Sequence, residues 1–117
     1  MNTLIRYNLK KRTQIFSENI IYFCSHLPQT IITLPLITQL VRSGTSIGAN
    51  YCEADNAESK PDFKHKIGIV KKEADETEYW LNLISFTIPT HKLRSDKLSE
   101  EAHELLLIFN SIFNKSK

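Results

Sequence analysis

The stretch Gln39–Glu53, QLVRSGTSIGANYCE, decides the fold. Through and beyond it, Leu36, Leu40, Gly44, Ile47, Tyr51 and Ala54 keep a three–four spacing. That spacing gathers them on one face of a helix turned toward other helices. Arg42, Asn50 and Glu53 lie in or beside the same face, where a polar group is costly without a partner. Gly44 and Gly48, with Ser43 and Ala49 beside them, form a Gly-xxx-Gly pair. Each glycine inside a helix costs roughly 1 kcal/mol against alanine, so the pair points to close approach of another helix backbone.

Working outward, Pro35 fits only the first turn of this helix, where its missing N–H has no intrahelical partner. Upstream, Thr13, Phe16, Ile20, Phe23 and Leu27 form a second stripe, with Ile15 and Tyr22 widening it, and Pro28 closes that helix. Downstream, Ser59 has the character of an N-cap with Asp62 three residues on. Phe63, Ile67, Val70, Ala74, Thr77, Leu81 and Ile84 follow in a regular heptad, ended by Pro89. Ser95 or Ser99 is the expected cap of a last helix with the stripe Leu98, Ala102, Leu105, Phe109 and Ile112. The spacing therefore predicts four helices at about 9–26, 32–56, 60–88 and 95–115. Short connections make neighbours antiparallel. The expectation is an all-α, up-down-up-down four-helix bundle, a single domain over residues 1–117.

Composition agrees with one ordinary globular unit: 117 residues, 41% hydrophobic and 24% charged, with 3 Gly and 4 Pro. A net charge of +2 is too small to indicate a nucleic-acid surface by itself. No apolar run reaches the ~18 residues of a membrane span, and the basic N-terminus lacks the apolar core of a secretory signal. The expectation is a cytoplasmic protein without a membrane partner. Cys24 and Cys52 fit that compartment as free thiols. They fall toward opposite ends of an antiparallel helix pair, too far apart to bridge.

The polar residues suggest interactions more than chemistry. A hinge near residues 58–59 puts Arg42 level with Asp75 and Glu76, a candidate partly buried ion pair. Glu100-x-x-His103 and Asp62-x-x-His65 each match half of a di-iron signature. They sit near the starts of consecutive antiparallel helices, roughly 30 Å apart, so no metal site is expected. Gly44–Gly48 lacks the Lys-Ser/Thr ending of a phosphate loop and lies inside a helix. No Ser or Cys stands in a recognisable nucleophile motif. No catalytic residue and no cofactor are expected. Two basic groups, Lys10, Lys11 and Arg12 (with Arg6) and Lys60, Lys64, Lys66, Lys71 and Lys72, are the candidate nucleic-acid contacts. Trp80, just off the heptad, is a candidate subunit contact.

QLVRSGTSIGANYCEA, the Ser59-x-x-Asp62-Phe63 start and GIVKKEADETEYWLNLI together resemble the four-helix-bundle family of 23S rRNA intervening-sequence-encoded proteins. The resemblance runs from about Leu27 to the C-terminus. It implies a homopentamer with a central opening. It also implies a distant likeness to the accessory protein of diversity-generating retroelements, which binds nucleic acid together with a reverse transcriptase. Arg42, Ser46, Asn50 and Glu53 match the family's polar signature in the second helix, and Glu73, Glu76 and Trp80 match the block in the third. Cys52 replaces a residue that is often basic, and the turn Ala54–Glu58 replaces one that is often arginine-rich. Both changes lower positive charge at that end. The function expected is that of a non-enzymatic oligomeric accessory protein for structured RNA. The alternative is a protein-interaction scaffold that binds no nucleic acid.

Overall fold

The computed structural model describes residues 1–116. Four helices follow one another: α1 (Thr3–Ser25), α2 (Thr33–Asp55), α3 (Lys60–Thr87) and α4 (Lys92–Lys115), with a 3-10 turn at Pro89–His91 before α4. No strand is present among the described residues. The antiparallel bundle measures 44 × 23 × 19 Å, its long axis close to the span of a helix of this length at about 1.5 Å per residue. Each helix packs on the next, α1 and α4 touch sparingly, and α1 lies diagonal to α3. No helix is long and apolar enough to cross a membrane.

Helix starts show where local chemistry acts. Asn2 Oδ1 accepts from Ile5 N at 2.8 Å, so α1 begins at Thr3 and not near Leu9. Residues 3–8 are all exposed, so no buried stripe could announce them. At α2, Thr30 Oγ1 accepts from Thr33 N (3.1 Å) while Thr33 Oγ1 accepts from Thr30 N (2.8 Å), a reciprocal cap. Ser59 Oγ accepts from Asp62 N at 3.2 Å, as the sequence predicts. At α4 the expectation fails. The helix starts at Lys92 with no side-chain cap, and both candidate serines are buried between α3 and α4. Ser95 Oγ donates to Leu81 O at 2.7 Å and Ser99 Oγ to Asn82 Oδ1 at 3.3 Å.

The predicted stripes form the core. Phe16, Ile20, Leu40, Ile47, Tyr51, Ile67, Leu81, Ile84, Leu105 and Phe109 are buried almost completely, and the Tyr51 and Phe109 rings meet at 5.3 Å. Ile15 and Tyr22, expected to widen the first stripe, point outward. The glycines of α2 do admit α1. A Cβ on Gly44 would lie 2.9 Å from Ile20 Cγ1, and one on Gly48 would lie 3.4 Å from the Thr13 backbone oxygen. The close neighbour is thus a backbone only at Gly48; at Gly44 it is the rigid, β-branched Ile20 side chain.

Candidate nucleic-acid interface

Both basic groups are partly neutralised by the chain's own folding. On α1, Arg12 donates from Nε (2.8 Å) and Nη2 (2.7 Å) to the two carboxylate oxygens of Glu101 on α4. This fork-to-fork geometry is the strong form of an arginine–carboxylate pair. The hydrogen bond it donates to Glu101 raises the Arg12 pKa further above its usual range, against a smaller desolvation effect. Lys10 reaches Asp55 at 3.4 Å, a carboxylate also held by Arg6 at 3.0 Å. Lys11 makes no ion pair among the described residues. It lines a groove of ≈ 780 Å³ between α1 and α2, with Tyr7, Gln14, Ala49 and Cys52.

On α3, Lys66 pairs with Glu53 at 3.2 Å. Lys64 and Lys71 lie 4.8 and 4.1 Å from the centre of the Phe113 ring. That ring covers Gly68, where an added Cβ would come within 3.3 Å of it. Residues 64, 68 and 71 are spaced one turn apart, so a glycine between two lysines seats an aromatic from α4 under both ammonium groups. Lys60 and Lys72 remain exposed without a carboxylate partner among the described residues. The two basic groups stand on diagonal helices whose backbones do not approach closely, so one chain does not merge them into one patch.

The polar signature of α2 runs along its border with α3. Ser46 Oγ donates to Arg42 O at 2.5 Å, and Asn50 Nδ2 to Ser46 O at 2.8 Å. Arg42 pairs with Glu76 at 3.4 Å and with Glu73 at 3.5 Å. The expected partner Asp75 is exposed and faces elsewhere. Level matching gives the right turn of α3 and the partner Glu76, but not the face of Asp75. Residue 75 is rotated about 200° from residue 73, at 100° per residue. Glu73 is largely buried, and its Oε1 has no hydrogen-bond partner among the described residues. Trp80 Nε1, two turns further on, is in the same condition. The Trp80 ring meets Tyr79 edge-on at 5.0 Å and borders an open hollow with Ile31, Leu34 and Pro35.

The half-signatures for metal stay apart. His103 Nδ1 lies 3.3 Å from Glu78 Oε1. No group of three or more His, Cys, Asp or Glu gathers among the described residues. Of the two thiols, Cys24 is buried, its pKa pushed up to about 12 by desolvation, whereas Cys52 is exposed.

A family model described as "23S rRNA-intervening sequence protein" matches residues 6–111. A crystal structure from Bacteroides thetaiotaomicron, described as a protein with unknown function from the S23 ribosomal protein family, superposes with a TM-score of 0.85. It is 33% identical over 94% of this chain and 98% of that one. No curated protein matches.

Proposed function

We propose, starting from the fact that this chain belongs to the 23S rRNA-intervening sequence protein family, that it is a non-enzymatic accessory protein. In this reading it self-associates, as a homopentamer, and meets structured RNA only as an assembly. The carrying observation is the diagonal placement of the two basic groups. A single chain offers Lys11, Lys60 and Lys72 on separated faces, whereas a closed ring repeats each of them around an axis. Repetition turns scattered charges into a continuous field, and phosphate binding depends on the number of cations engaged at once.

Light scattering and a salt titration test this together. The protein should run as an oligomer at micromolar concentration and bind a structured RNA. The logarithm of its affinity should fall linearly with the logarithm of salt, by about 0.7–0.9 per phosphate neutralised. Lys11→Glu and Lys72→Glu should weaken binding without changing the mass. An oligomer that binds no RNA at low salt would leave the protein-interaction scaffold as the function. The scaffold reading has its own support, because Lys10, Arg12 and Lys66 are already paired with carboxylates. A monomer would remove the summed lysine field and with it the RNA reading.

A further inference from the structure

One end of the bundle carries a surface that neither the core nor the RNA reading uses. It is built from the end of α1, the turn before α2, the end of α3 and the start of α4. Its side chains are unusually apolar for exposed positions: Ile31 is 89% exposed, Phe86 84%, Leu93 72% and Ile32 64%. Tyr22 and Leu34 add to them. These residues sit on turns and helix ends at one end of the bundle, where Ile31 and Leu34 also border the open hollow beside Trp80.

The charge at this end is as distinctive. Fifteen Lys and Arg against thirteen Asp and Glu give the chain its surplus of two. Residues 19–36 hold no Lys, Arg, Asp or Glu, and residues 79–97 hold only Lys92, Arg94, Asp96 and Lys97. The rest of the chain balances at twelve of each sign. The whole surplus therefore lies at the apolar end. Lys92 is spent on Asp96. Lys97 is exposed with no ion pair among the described residues, and Arg94 lies over the Tyr22 ring at 5.4 Å.

We propose that this end docks on an anionic phospholipid surface: Ile31, Ile32, Phe86 and Leu93 enter the interface while Arg94 and Lys97 meet the headgroups. Exposed aliphatic and aromatic groups partition into the boundary between headgroups and acyl chains, and neighbouring cations add attraction to anionic lipid. A deformable lipid surface accommodates apolar side chains spread over several turns and helix ends, whereas a helical peptide needs one continuous groove. Nucleic acid is less well matched, since Ile31, Ile32 and Leu93 offer no π-face for a base to stack on. A second copy meeting end to end would set cations against cations. The sequence expectation of no membrane partner rested on the lack of a spanning segment, which a surface contact does not require.

Co-sedimentation of the full chain with phosphatidylcholine vesicles, with and without phosphatidylglycerol, tests the proposal. The protein should pellet with the anionic vesicles and stay in solution with the neutral ones. Ile31→Ser with Ile32→Ser should lower partitioning at least about tenfold, and Arg94→Glu with Lys97→Glu should abolish the preference for anionic lipid. Leu4→Ser with Tyr7→Ser, at the opposite end, should change nothing. These positions are exposed, and circular dichroism would confirm that the variants fold. No partitioning by the wild type would overturn the proposal, as would equal binding to neutral vesicles. A change of oligomeric mass in the isoleucine variant would make this end a subunit contact instead. Loss of RNA binding in that variant would assign it to nucleic acid. The vesicle outcomes do not depend on whether the lysines of α1 and α3 bind RNA.

Discussion

The first helix is held on fewer sides than the other three. All four helices contribute to one continuous core, and α3 and α4 are further joined by the bonds from Ser95 to Leu81 and Ser99 to Asn82. Helix α1 packs on α2 through Thr13, Phe16 and Ile20 but touches α4 little. Ion pairs supplement this packing, Arg12 to Glu101 on α4 and Arg6 to Asp55 at the end of α2. Burial is indifferent to salt and hard to open locally, while partly exposed charge pairs are screened and modest. The bundle thus has a three-helix body and one more loosely held helix.

The largest test of this contrast compares two leucines. Leu81→Ala, at a position with no exposure, should cost about 3–5 kcal/mol by loss of transfer energy and creation of a cavity. Leu9→Ala on α1, at 6% exposure and near the helix start, should fall at the low end of the range, about 2 kcal/mol. Equal costs in a denaturant titration would mean that α1 is as integral as α3. Next come the glycines through which α1 sits on α2. Gly44→Ala should destabilise by about 1–2 kcal/mol, because the clash with Ile20 outweighs the gain in helix propensity. Gly48→Ala meets Thr13 only at 3.4 Å and should be neutral or stabilising, by up to about 1 kcal/mol. Thermal melts of the pair that moved the same way would show that α1 adjusts freely. The smallest effect belongs to Arg12→Ala, which should cost about 1 kcal/mol. It should speed amide hydrogen exchange in α1 while leaving α3 protected.

The fold was legible because the heptad of α3 and the α2 face are periodic and apolar, and periodicity survives without a structure. Ser59 and Asp62 were legible because capping is local chemistry. Three features were hidden for identifiable reasons. The first turns of α1 bury nothing, so only Asn2 marks their start. Ser95 and Ser99 bind across to α3 instead of capping α4, and a serine's partner cannot be read from its neighbours in sequence. Of the two partners expected for Arg42, Glu76 was legible, whereas Asp75 shares the level but not the face and buried Glu73 was missed, since level depends on length and face on helix rotation. The interface candidates were legible as a list of cations. Phe113 between Lys64 and Lys71, and the separation of the two basic groups onto diagonal helices, depend on packing alone.

The unequal fates of the two thiols have a practical consequence. Cys24 is sealed in the core, and burial holds its pKa near 12, so it stays silent toward reagents that need a thiolate. Cys52 is exposed in the groove where α1 rests on α2. The wild-type chain therefore accepts a single dye or spin label without any mutation, at the seam where the loosely held helix would lift away. A label there becomes a gauge of α1 release, read in real time against salt, vesicles or RNA.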